Sequence, residues 1–208
     1  DVAGIIIEGI QGVAGIIEPN VEFLRGLRDL ADKYDVVLIL DEVQSGFGRT
    51  GDFFAHQHAG IKADIITMAK GMGNGFPIGG IILSPDFKAS FGLLGTTFGG
   101  NHLACVACCS VMDIIEKEEL LDNAVKQGQY LIQELSKVDS VETVTGRGLM
   151  LGVVVKGEGK ELRSNLLTKH KIFTGGCANP NILRLLPPMN ITQKECDKLI
   201  SAIRTELA

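Results

Sequence analysis

Three things are scarce in this sequence: positive charge, long apolar runs and cysteines that could pair off. Lys and Arg number 20 against 25 Asp and Glu, for a net charge of −5. There is therefore no cationic footprint for nucleic acid or for an anionic membrane surface. No apolar run approaches the roughly 20 residues that span a bilayer. The N-terminus lacks the basic-then-apolar pattern of a secretory signal. The five cysteines are an odd number, and Cys105, Cys108 and Cys109 crowd into one apolar stretch. That is no disulfide framework, and a reducing, cytoplasmic setting is the expectation. Internal repeats and low-complexity tracts are absent. So is an initiator methionine: the chain opens on "DVAGIIIEG", a strand from its third residue, and reads as a piece of a longer protein.

What is present has the composition of a soluble globular protein. The 208 residues, 45% hydrophobic and 22% charged, can bury one large core, or one domain and part of another. Much of the glycine clusters in short loops near the ends of apolar runs, where sites are usually built. Residues 5–7 read as a short strand ending at Glu8. Asn20 is placed to cap a helix over "VEFLRGLRDLADKY", whose apolar residues fall at helical spacing. "VVLILDE" is a continuous aliphatic run, suited to a strand of a parallel sheet buried on both faces. A Gly-rich turn, a short helix near "FFAHQHA", a strand "DIITMA" ending in Lys70, a glycine loop and a strand "IGGIIL" follow. That alternation is the α/β order and predicts a mainly parallel sheet.

Beyond "TTFGGN" the order changes to α+β. Two helices over 103–118 and 120–138 precede two strands joined around a Gly-Arg-Gly turn. A helix over 160–170, a strand "NILRLL", "PP" and a last helix from about Thr192 complete the chain. The spacing divides it into domains at 1–110 and 111–208.

The chemistry-bearing residues stand at strand ends. In open α/β sheets ligands bind beyond the carboxyl ends of the strands. Asp41 ends one strand there, Lys70 the next, and Glu8 the first. If the strands run parallel, three charged ends share one rim. Taken alone, Asp41 also suits a turn cap. Lys70 admits three readings. Buried, it would have a lowered pKa and a nucleophilic amine able to form a Schiff base. It could instead bind phosphate, although a P-loop places its glycines before the lysine. Or it could snorkel at a strand end. The glycines after it would let a bulky ligand approach the backbone.

The ordered set "EGIQG" (8–12), "LDEVQSGFGRTG" (40–51), "ADIITMAKGMGNGFPIGG" (63–80), "GTTFGGNHLAC" (95–105), "GRGLMLGV" (146–153) and "ILRLLPP" (182–188) resembles class III pyridoxal-phosphate aminotransferases. Within them it is most similar to acetylornithine and ornithine aminotransferases, over about the C-terminal half of the family chain. The resemblance implies fold type I, with part of the large, mainly parallel-sheet domain followed by a small α+β domain. It implies transfer of an amino group from a basic ω-amine (N-acetylornithine or another acylornithine) to 2-oxoglutarate, in arginine biosynthesis, with ping-pong kinetics.

By the same resemblance, Lys70 holds pyridoxal 5'-phosphate and shuttles the proton, while Asp41 pairs with the pyridine nitrogen. Val43 packs on the ring, Gln44 hydrogen-bonds its hydroxyl and Glu8 helps to orient the site. Arg184 grips the substrate α-carboxylate with its two-pronged donor face. Thr97 reaches the neighbouring subunit's cofactor, which implies a homodimer with shared active sites. Val13 stands where the family usually has a glutamate able to pair with that arginine. The family's phosphate cup and ring-stacking aromatic lie upstream of residue 1. The alternatives are a catalytically incomplete fragment or scaffold, or another class III activity: ornithine or 4-aminobutyrate transamination, or an aminomutase.

Weaker signals read as structural. His102 with the three cysteines lies along one helix, whereas zinc sites draw on separated elements. His56 and His58 read as solvated surface. Arg49 reads as a brace for the Asp41 loop, and Pro187-Pro188 as a device that keeps the chain extended after Arg184.

Overall fold

The structure, a computed structural model, describes residues 1–93 and 95–208. Two sheets follow one another along the chain. The first has the order β1-β2-β3-β4, formed by Gly4–Glu8, Val37–Asp41, Ile65–Met68 and Gly80–Leu83. β1, β2 and β3 are parallel, and β4 returns antiparallel. Parallel neighbours need a crossover, and α1, Val21–Tyr34, makes it between β1 and β2. Asn20 caps α1 as expected, its side chain accepting the Phe23 amide at 2.7 Å. That bond satisfies one of the donors a first turn leaves unpaired.

The expectation that β2 is buried on both faces is corrected. Leu38 and Leu40 are fully enclosed, packed with Ala31 of α1. The alternate residues Val37, Ile39 and Asp41 are only half-buried. The register partner of Ile39 on β1, Ile6, is 65% exposed. Strand alternation sends each successive side chain to the opposite face. Among the described residues, the face toward α1 is the covered one.

After β2 come a glycine-rich turn and a 3-10 helix, Ala55–Ala59, where a short helix is expected. After β3 comes a 3-10 turn, Lys70–Met72. The second half holds α2 (His102–Lys117), α3 (Leu120–Leu135), β5 (Val141–Arg147), β6 (Met150–Val155), α4 (Gly159–Thr168), β7 (Gly175–Gly176), β8 (Ile182–Leu185) and α5 (Gln193–Leu207). Its strands form an antiparallel sheet of order β5-β6-β8-β7. α5 opens with a capping box between Thr192 and Glu195. α3, α4 and α5 cover one face of this sheet, enclosing Leu131, Leu151, Leu166, Leu183 and Ile203 in the largest core of the chain. Each fully buried aliphatic side chain is worth about 1.5–3 kcal/mol. No helix among the described residues is long and apolar enough to cross a membrane.

Candidate active site

Parallel register places the strand ends side by side. Glu8 pairs with Asp41, and Asp41 with Thr67, three residues before Lys70. Leu38 and Leu40 face α1, so Asp41 and its register partners Glu8 and Thr67 lie on the opposite, open face. Three side chains thus form a row across the carboxyl edge, with Lys70 just beyond it.

Asp41 Oδ1 accepts the Val43 amide at 2.9 Å. The turn cap is therefore real, but it engages one carboxylate oxygen and leaves the other available. Glu8 Oε2 accepts the Gly12 amide at 2.9 Å. Gln44 lies over the same glycine: a Cβ on Gly12 would stand 2.6 Å from the Gln44 amide. Glu8, Gly12 and Gln44 therefore form one contact chain beside Asp41. Thr67 Oγ1 is buried in this row with no hydrogen-bond partner among the described residues.

Of the readings open for Lys70, the structure does not show burial: the residue is exposed. β3 ends at Met68, and the chain turns at Lys70 with φ 46°. A non-glycine residue in the left-handed region costs of order 1–2 kcal/mol and survives where its surroundings impose it. Of the glycines that follow, Gly73 serves the loop itself. A Cβ on Gly73 would lie 2.3 Å from the Phe76 carbonyl oxygen, so the loop needs that glycine for its own closure.

The residue after Asp41 is the main omission of the sequence reading. Glu42 points to the opposite face and is fully buried. Its carboxylate accepts Ser45 Oγ at 2.6 Å, the Ala55 and His56 amides at 3.0 Å each, and pairs with His56 Nδ1 at 2.7 Å. Burial alone would push its pKa up. The hydrogen bonds from His56, Ser45 and the two amides outweigh that and hold it below the usual 4.5. An acid one residue after Asp41 necessarily faces the other side, which was the available signal.

His56 and His58 are accordingly not solvated surface. His56 is buried on Glu42, and His58 Nδ1 lies 2.5 Å from Asp52 Oδ2. Burial, then the charge of Arg147, lower the His58 pKa.

Arg184 sits on β8 opposite Gly152. A Cβ on Gly152 would meet Gly15 O at 3.0 Å and Ile16 Cβ at 3.2 Å. The loop after Glu8 therefore rests on the sheet face that carries Arg184. Arg184 Nε donates to Gly176 O at 2.7 Å, and Nη1 is buried without a partner among the described residues. A desolvated, unpaired guanidinium donor favours an anion. Thr97 stands apart, exposed in the loop between β4 and α2. Cys105 and Cys109 are exposed while Cys108 is buried, so the three thiols do not converge.

An amine, a carboxylate with one open oxygen, an amide side chain and an unpaired hydroxyl around one open sheet edge can hold a nitrogen-heterocyclic aldehyde. The pyridoxal ring fits that donor set.

Known proteins agree with this architecture. An acetylornithine aminotransferase of Corynebacterium efficiens is 43% identical over 210 residues, covering 100% of this chain and 52% of the relative. One of Aquifex aeolicus is 43% identical over 98% of this chain and 54% of its own length. The chain thus spans about half the length of these curated relatives. Among solved structures, acetylornithine aminotransferase of Elizabethkingia anophelis superposes with a TM-score of 0.87 at 30% identity, covering 98% of this chain and 56% of that one. Ornithine aminotransferase of Plasmodium yoelii gives 0.89 at 30% identity, over 98% and 56%. The family described as "Aminotransferase class-III" matches residues 1–207, and this chain belongs to the class III aminotransferases.

Proposed function

We propose that the protein of which these residues form the site transfers the amino group of a basic ω-amine, N-acetylornithine or another acylornithine, to 2-oxoglutarate, as a step of arginine biosynthesis. The observation that carries it is the register of Asp41 and Thr67 on adjacent parallel strands, which sets a carboxylate beside the turn bearing Lys70. The relatives in Corynebacterium efficiens and Aquifex aeolicus named acetylornithine aminotransferase support the choice of donor. One solved relative, ornithine aminotransferase of Toxoplasma gondii, is described with pyridoxal phosphate at its active site.

When bound, pyridoxal phosphate supplies an electron sink for the bond broken next to the transferred nitrogen. Asp41, with one oxygen open, would hold the ring nitrogen and keep a proton there by its negative charge. Val43 would pack on the ring, Gln44 would hold its hydroxyl, and Glu8 fixes the Gly12 turn on which Gln44 rests. Lys70 Nζ anchors the cofactor. Nζ would then be the base placed to take a proton from the carbon that bears the amine and to give one back. Arg184 orients the substrate through its α-carboxylate.

We assign Thr97 to a second copy's cofactor and the working unit to a homodimer, in the cytoplasm, where five unpaired thiols persist. We divide the chain into domains at residue 110, inside α2. The test is amino transfer from N-acetylornithine to 2-oxoglutarate by the protein and by its Lys70→Ala variant. Turnover surviving in the variant would contradict the assignment. Faster turnover of ornithine or 4-aminobutyrate would move it within the family.

A further inference from the structure

Arg49 lies on the loop that follows β2, eight positions beyond Asp41, and its guanidinium Nη1 donates to the carbonyl oxygen of Pro187. Its own carbonyl accepts the amide of Leu149, in the turn between β5 and β6, at 2.9 Å. One residue of the first half therefore holds the second half at two points. From the other side, Asn123 Nδ2 of α3 donates to Met189 O at 2.6 Å and to Ile191 O at 3.1 Å. The segment leaving Arg184 is thus pinned between Arg49 and Asn123.

Arg49 is half-buried and forms no salt bridge among the described residues. Burial lowers its pKa. Holding a desolvated guanidinium without an acid is costly unless its donors are used structurally or meet an anion. The side chain also lines a cavity of about 380 Å³ shared with Gln44, Lys70 and Asn74.

We propose that Arg49 is a positioning residue for substrate carboxylates: by fastening Pro187 to the Asp41 loop, it sets the distance between Arg184 and Lys70. This rests on the roles given above to those two residues. Pro187 is three residues from Arg184; of the two between, Leu185 is held in β8 and Leu186 is restricted by the proline after it. A shift at Pro187 is therefore carried to Arg184 and not absorbed. A misplacement of about 1 Å between reacting groups can cost a factor of about 10². The structure assigns the clamp to Arg49 because the guanidinium reaches a carbonyl 138 positions away while its backbone holds Leu149.

The test compares Arg49→Met with Arg49→Lys, which keeps the charge and one donor, in the cofactor-loaded protein. Two readouts are taken: amide hydrogen exchange, and binding of 2-oxoglutarate against a simple alkylamine that carries no carboxylate. In Arg49→Met, exchange should quicken about tenfold at the amides of residues 184–186 and 189, leaving Val153 in β6 unchanged. KM for 2-oxoglutarate should rise about tenfold, more than kcat falls, while the alkylamine reacts as before. Arg49→Lys should recover part of both effects. Unchanged exchange at residues 184–186 and 189 would overturn the clamp. Equal losses for the two substrates, or no recovery with lysine, would overturn its role in carboxylate placement. Faster exchange with unchanged 2-oxoglutarate binding would keep the clamp and remove Arg184 from the carboxylate.

Discussion

His56 Nδ1 lies 2.7 Å from Glu42 Oε1, and both side chains are buried. The pair ties the end of β2 to the 3-10 helix at Ala55–Ala59, so Asp41 leaves the sheet in a fixed direction. Removing one partner of a buried pair costs about 3–5 kcal/mol. Glu42→Ala should destabilise the protein by that order, and Glu42→Gln by less, because an amide oxygen still accepts one bond. Denaturant unfolding measures both. The pH dependence follows from the lowered Glu42 pKa. As pH falls, the unfolded chain takes up this proton first, near the usual 4.5. The stability Glu42 contributes is whole above that value and is lost as pH drops through the lower folded one. Below about pH 4.5 the wild type should therefore lose Tm more steeply than Glu42→Ala.

Two glycines should answer alanine in opposite directions. A Cβ on Gly26, in α1, would meet nothing within 4 Å. Gly26→Ala should stabilise by about 0.5–1 kcal/mol, because alanine is the better helix former. On Gly128, in α3, a Cβ would stand 2.0 Å from Gly148 O, where α3 meets the turn between β5 and β6. Gly128→Ala should destabilise by about 1–3 kcal/mol, since backbone must move on one side. At about 2–4 °C per kcal/mol for a chain of this size, thermal melts separate the two.

Asp41→Asn isolates charge from shape. The Asn side-chain oxygen can still accept the Val43 amide, so the turn should persist with unchanged Tm. The negative charge is lost, and transamination should fall about 10²–10³-fold, the range for removing one electrostatic stabiliser. Cofactor should remain trapped on Lys70. A variant as fast as the wild type would remove Asp41 from the ring nitrogen.

The local features of this fold are the legible ones. Asn20 and the periodic run after it define α1. The Gly-Arg-Gly turn defines the β5–β6 hairpin, and the aliphatic runs locate β1, β2 and β3. The common rim of Glu8, Asp41 and Lys70 follows from parallel strands alone. What could not be read depends on partners distant in sequence. The acceptor that buries His56 is Glu42, fourteen positions earlier. The carbonyl held by Arg49 is 138 positions away. The open face of β2 is equally invisible, because an aliphatic run is the same whether one face is covered or both. The apolar strand before Lys70 leaves its burial undecided, and the backbone turn at that residue carries it out.

The central claim is that Lys70 holds the cofactor, and one measurement reads it directly. The protein is incubated with pyridoxal phosphate, reduced with borohydride, digested, and its peptides mapped by mass. The account predicts a single reduced pyridoxyl adduct, on the peptide that carries Lys70. Label spread over the exposed lysines, or none on Lys70, would contradict it.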